Sequence, residues 1–157
     1  MNTVIKSSDL TIGIDIGGTK ISAGVVDSSG NLINSLIIST PLEGGREVIL
    51  SVINLITELS KKYTIKGIGI SIAALISSDY GTIVGAPNIA NLSKLNFVNE
   101  ISKEFKLPLI VENDANAAMW AEFKFGNAKG LNPVMFFIIG TGMGGGLVID
   151  GKLFRGA

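Results

Sequence analysis

The sequence contains neither cysteine nor histidine. That excludes disulfides, thiol catalysis, Ser-His or Cys-His nucleophile pairs and the usual zinc ligand sets. Acid–base chemistry must rest on Asp, Glu, Lys or Tyr. A charge surplus is missing too, because 13 Lys and Arg balance 13 Asp and Glu. Such a chain lacks the basic footprint that nucleic acid or an acidic membrane surface would attract. No apolar run reaches the roughly 18 residues of a membrane span. The opening MNTVIKSSDL has no long apolar core of the signal-peptide kind. These absences give the expectation of a cytoplasmic protein with small-molecule partners, without nucleic acid or membrane.

What is plentiful is apolar residues, 46% of 157, and glycine, with 20. The first is ample for a packed core. The pattern predicts strands over 11–17, 21–27 and 32–39, joined by two short turns as an antiparallel meander. An amphipathic helix is predicted over 46–62, with Val48, Ile49, Val52, Ile53, Ile56 and Leu59 at 3–4 spacing. A buried strand follows at 66–73, then a short hairpin and long loop over 75–96. The remaining expectations are a helix over 97–106, a strand at 108–111 and a helix over 114–125. After these come a fully buried strand at 134–139 and another strand at 146–150, closed by the Asp150-Gly151 turn. The last two strands echo the first two, which is consistent with a weak internal duplication.

Three clusters carry chemistry. Asp15-Ile16-Gly17-Gly18-Thr19-Lys20 joins two apolar strands. Its glycines can turn the backbone tightly and bare its N–H groups to an anion, with Thr19 and Lys20 adding a hydroxyl and a cation. Asp15 suits Mg²⁺, a hard cation that prefers oxygen. A plain hairpin turn accounts for the glycines equally, but an Asp at the end of a buried strand needs a partner. The second cluster, Gly140-Thr141-Gly142-Met143-Gly144-Gly145-Gly146, follows the most apolar strand. It contains G-x-G-x-x-G but is followed by a strand. The dinucleotide fingerprint requires a helix there, so anion capture or a flexible turn remain. The third cluster, Glu112-Asn113-Asp114, sits at a strand-to-helix junction. An Asp there can take a proton from an attacking alcohol, and the neighbouring Asn can bond a substrate's hydroxyls. Helix capping explains the same residue types and does not exclude catalysis. Arg155, just past the second cluster's hairpin, is a further cation in the neighbourhood.

The stretches GIDIGGTKISAGVVD at 13–27, GAPNI at 85–89, LPLIVENDANAAMWAE at 107–122 and FIIGTGMGGGLVIDGKLFRG at 137–156 together resemble the ROK family (repressors, open reading frames and sugar kinases). The resemblance implies an α/β, ribonuclease-H-like fold of the actin-like ATPase class, with a mixed sheet. It implies an N-terminal domain over 1–130 and the first hairpin of a second, similar domain over 131–157. The implied activity is transfer of a phosphoryl group from ATP, with Mg²⁺, to a hexose or amino-hexose. Asp114 matches the family's catalytic base, and Asn88, Asn113 and Asp114 its sugar contacts. Gly17, Gly18, Thr19 and Lys20 match the first phosphate loop, Thr141 and Gly142 the second, and Asp15 the Mg²⁺-associated residue. A homodimer or higher homo-oligomer is also implied.

The family's usual Pro-Gly pair is replaced by Ala73-Ala74. Its structural zinc site, a sugar-binding Glu and His, and the adenosine pocket match nothing in this chain. The 157 residues alone are therefore expected to be inactive. The alternative is a non-catalytic fragment, or a sugar-binding or regulatory relative; the winged-helix segment of family repressors is not seen.

Overall fold

The computed structural model describes residues 10–139 and 143–155. Strands β1 (Leu10–Ile16), β2 (Lys20–Val26) and β3 (Leu32–Ser39) form the meander. Helix α1 (Gly45–Ser60) leads to β4 (Ile65–Ile72) and the small hairpin β5 (Leu75–Ile76) and β6 (Ile83–Gly85). Helix α2 (Phe97–Glu104), strand β7 (Leu109–Asn113) and helix α3 (Asp114–Phe125) follow. Last come β8 (Val134–Ile139), β9 (Met143–Ile149) and β10 (Lys152–Phe154).

The main sheet has the order β3-β2-β1-β4-β7, antiparallel through the meander and parallel from β1 to β4 to β7. Alternation decides its faces. Leu10, Ile12, Ile14 and Ile16 of β1 are buried with Ile65, Ile68, Ile70 and Ile72 of β4. Val48, Val52, Ile56 and Leu59 of α1 and Phe97 and Ile101 of α2 complete that core. Each such aliphatic side chain contributes about 1.5–3 kcal/mol through burial. The opposite face carries Thr11, Gly13 and Asp15, all exposed. It borders a cleft of about 800 Å³ walled by Trp120 and Phe125 of α3 and Leu153 of β10.

The second sheet, β10-β9-β8, packs on the other side of α3. Its small core joins Met119, Ala128 and Val148 with Trp120, Phe136 and Leu153. Two expectations are corrected here. The strand at 134–139 is not fully buried: Met135 and Phe137 are more than 60% exposed and Ile139 is 76% exposed. An all-apolar run suits a strand covered on both faces, and α3 covers only one. The glycine cluster is also not one loop, since Gly144, Gly145 and Gly146 lie within β9, paired with Ile138, Phe137 and Phe136. A Cβ at Gly146 would fall 2.5 Å from the Met119 Cβ, and one at Gly144 would fall 3.0 Å from the Ala115 Cβ. These glycines let helix and strand approach closely.

The turn between β5 and β6 is organised by Asp79. Its Oδ1 accepts hydrogen bonds from the Ser77 hydroxyl, Gly81 N (3.0 Å) and Thr82 N (2.9 Å), and its Oδ2 accepts one from Thr82 Oγ1 (2.6 Å). The neighbouring Tyr80 is held at φ 54°. The Ser77 hydroxyl first, then Thr82, hold the Asp79 carboxyl well below the usual carboxylate range.

Gly146→Ala is expected to lower stability by about 1–3 kcal/mol through overpacking, read from the urea midpoint. The pH response of the turn follows from the depressed Asp79 value. Its contribution is complete above the ordinary carboxylate pKa and is lost as pH falls through the folded value. The Gly81 and Thr82 amide resonances should hold position down to about pH 4 and move only in stronger acid. Movement centred on an ordinary carboxylate pKa would contradict the Asp79 bonds.

Candidate active site

The parallel register lines up polar residues near the carboxyl ends of three strands. Asp15 pairs with Ser22 on one side and Ser71 on the other, and Ser71 pairs with Glu112. The Ser71 hydroxyl donates to Asp15 Oδ1 at 3.0 Å. Asp15 is therefore not buried, as the apolar strand around it suggests, but exposed on the open face and partnered by a hydroxyl. The period of two turns it away from the isoleucines on either side. Carboxyl ends of parallel strands are where α/β sheets hold ligands.

The next residue along β7 is Asn113, which caps α3. Its Oδ1 accepts from Ala115 N (3.0 Å) and Asn116 N (3.3 Å). Its amide nitrogen donates to the Ala74 carbonyl (3.1 Å) and to Asp114 Oδ1 (2.9 Å). Ala74, where the family's Pro-Gly pair is absent, thus anchors the junction through its backbone. Asp114 Oδ1 also accepts from Ala115 N at 2.9 Å. Among the described residues Oδ2 accepts no hydrogen bond.

Asp114 and Asn113 line a cavity of about 400 Å³ with Asn88, Ala73, Leu75 and Met143. The first glycine loop lies against it. A Cβ at Gly18 would stand 2.7 Å from the Asn88 carbonyl oxygen and 3.1 Å from its Cβ. Gly18 is needed for this approach. Neither Gly17 nor Gly18 has the positive φ that a left-handed turn would need. Gly17 N donates to the Lys20 carbonyl at 3.0 Å to close the turn. Thr40, the one buried polar side chain among the described residues, straps it. Its hydroxyl donates to the Gly17 carbonyl (2.7 Å) and its N–H to the Thr19 carbonyl (3.0 Å).

The family model described as ROK family matches residues 11–157. The chain belongs to the ROK family. A glucokinase of Streptomyces coelicolor is 42% identical over 148 residues, covering 94% of this chain and 46% of that protein. An N-acetylmannosamine kinase of Yersinia pseudotuberculosis is 33% identical over 145 residues, covering 92% of this chain and 49% of its own length. A crystal structure of a ROK family glucokinase from Streptomyces griseus, in complex with glucose and AMPPNP, superposes with a TM-score of 0.86 at 37% identity. That superposition covers 94% of this chain and 47% of the other. The chain spans about half the length of the curated relatives it matches. The actin-like ATPase class expected from the motifs is the fold of these ROK neighbours.

In this ROK chain Asn88, Asn113 and Asp114 share one cavity, and Gly18 abuts Asn88. Lys20 is exposed at the start of β2. Thr141 and Gly142 lie outside the described residues. Asp15 does not line the Asp114 cavity but sits one row back, beside Ser71. Its exposed carboxylate fits an Mg²⁺ held chiefly by phosphate and water, the usual way this ion binds. A structural zinc does not fit: the chain has no Cys or His, and the described residues hold no cluster of metal-binding side chains. Among the described residues no helix is long and apolar enough to cross a membrane.

Thr40 and Ser71 escaped the sequence reading. Nothing local marks a Thr or a Ser as a strap or a partner when the group it bonds is 23 or 56 residues away.

Thr40→Val should cost about 1–2 kcal/mol, because the Gly17 carbonyl loses its donor. Urea denaturation reads the loss, and amide exchange at residues 17–20 should accelerate more than exchange in α1. Equal acceleration everywhere would argue against a local strap.

Proposed function

We propose that this chain supplies one half of the active site of an ATP-dependent hexose or amino-hexose kinase. The observation that carries the reading is Asp114, whose Oδ2 accepts no hydrogen bond among the described residues, in one cavity with Asn88 and Asn113, against which the first glycine loop is packed. Asn88 and Asn113 orient the sugar. Asp114 Oδ2 accepts the proton of the sugar's attacking hydroxyl. The hydroxyl oxygen then forms a bond to the γ-phosphorus as the bond to the β–γ bridging oxygen breaks, and ADP leaves. Backbone N–H groups of Gly18 and Thr19, the Lys20 ammonium, and Thr141 and Gly142 of the second glycine cluster stabilise charge on the phosphates, with Gly17 closing the turn that presents them. Asp15 is the residue that would hold Mg²⁺, directly or through water. When bound, the ion supplies charge neutralisation of the phosphates.

The relatives' names support a sugar substrate and divide between glucose and an N-acetylated amino-hexose. We further propose that residues 131–157 open a second unit of the same kind. The echo of the antiparallel pair β1 and β2 in the antiparallel pair β8 and β9 supports this. A cytoplasmic location and a homo-oligomeric assembly belong to the same reading.

The test is Asp114→Asn in the full-length gene product, assayed for ATP consumption against a panel of hexoses and amino-hexoses. Turnover should fall by about 10²- to 10⁴-fold, the range of a lost general base, with the circular-dichroism spectrum and melting point unchanged. Near-normal turnover would remove Asp114 from the role.

A further inference from the structure

Arg155 lies at the end of the last hairpin, in the second sheet's part of the chain. Its side chain nonetheless reaches into the first. Arg155 Nε donates to Glu112 Oε2 at 2.5 Å. The guanidinium carbon also lies 5.1 Å from the centre of the Tyr80 ring, at the tip of the β5–β6 turn. Only 13% of the Glu112 side chain is exposed. A carboxylate so enclosed needs a charged partner.

The other Glu112 oxygen does different work. Oε1 accepts from Asn113 N at 3.0 Å and from Asn116 Nδ2 at 3.1 Å. Asn113 holds Asp114 Oδ1, and Asn116 N bonds back to Asn113 Oδ1. A continuous set of contacts therefore runs from Tyr80 and Arg155 through Glu112 to Asn113, directly and by way of Asn116, and Asn113 holds the Asp114 carboxylate. Among the described residues only Arg155 enters it from the second sheet's side. A planar guanidinium can both stack on a ring and donate in its own plane. An ammonium can do the first but has no fixed fork for the second.

We propose that Arg155 is a positioning residue. It clamps Glu112, and Glu112 in turn sets the orientation of Asn113 and Asp114, so that the placement of the second sheet is felt at the proton acceptor. This proposal rests on the reading of Asp114 as the base. Misplacement of a reacting group by about 1 Å can cost on the order of a hundredfold in rate, so a residue outside the cavity can matter to turnover.

Two measurements test it separately. In the 157-residue chain, the side-chain amide resonances of Asn113 and Asn116 are followed in wild type, Arg155→Met, Arg155→Lys and Glu112→Gln. Arg155→Met and Glu112→Gln should shift both, while the methyl resonances of Val52 and Leu59 in the distant core stay in place. Arg155→Lys should lie between wild type and Arg155→Met, and it serves if the Met variant does not fold. In the full-length gene product, Arg155→Met should lower kcat about 10- to 100-fold, with KM for ATP little changed and partial rescue by Arg155→Lys.

Unmoved Asn113 and Asn116 amides overturn the clamp whatever the activity. Moved amides with wild-type kcat, in a protein that Asp114→Asn inactivates, overturn the positioning role and leave the base in place. Near-normal turnover in Asp114→Asn instead removes Asp114 as the base, and the amide resonances still decide whether Arg155 holds Glu112.

Discussion

The site depends on the parallel pairing of β4 between β1 and β7. With Asp15 opposite Ser71 and Ser71 opposite Glu112, three distant segments deliver polar groups in one row. Asn113 then stands one step beyond Glu112, at the start of α3. A slip of one residue in either pairing would turn the carboxylates into the isoleucine core and the isoleucines into the cleft. The packing of β1 and β4 against α1 and α2 forbids it, because every second residue on those strands is committed to burial. The hydrophobic core thereby sets the register on which the polar row depends.

Glycine serves approach more than rotation in this protein. Gly18 brings the first loop against Asn88, and Gly144 and Gly146 bring β9 against α3. In each case the missing Cβ would collide with backbone or with the root of a side chain. Gly44 and Gly45, the cap and first residue of α1, combine both uses: each has positive φ, and a Cβ would stand 1.9 Å from the Ala90 carbonyl oxygen at Gly44 and 3.2 Å from Asn91 at Gly45. A glycine-rich stretch in the sequence therefore marks closeness of some kind, to a ligand or to another part of the chain. Only the fold tells which.

Much of the architecture was legible in advance. Strands β1 to β4, the three helices and the final hairpin follow from the apolar periods and turn residues, within a few positions at their ends. α1 stops at Ser60 and α2 at Glu104, each two residues short of the pattern. The junction at 112–114 was legible as a helix cap, and Asn113 caps α3. Three features were misjudged or missed, each for a different reason. The exposure of β8 depends on what covers it, which an apolar run cannot state. The exposure of Asp15 depends on which face each residue takes. Arg155, noted only as a nearby cation, finds its partner 43 residues away in the chain.

By itself, then, the sequence determined the elements, their polar and apolar faces, the chemical repertoire and the family. Those are local properties: backbone propensity, period and residue type. The tertiary structure alone decided that Asn88 meets Gly18, that Thr40 straps the first loop, that Ser71 serves Asp15 and that Arg155 holds Glu112. Each of these joins residues that are far apart along the chain. Short-range preference does not encode such a distance; it is set when the sheet register and the packing of α3 bring the segments together. Asp114 shows both halves of the account, since its residue type follows from the sequence and the orientation of its carboxylate from the fold.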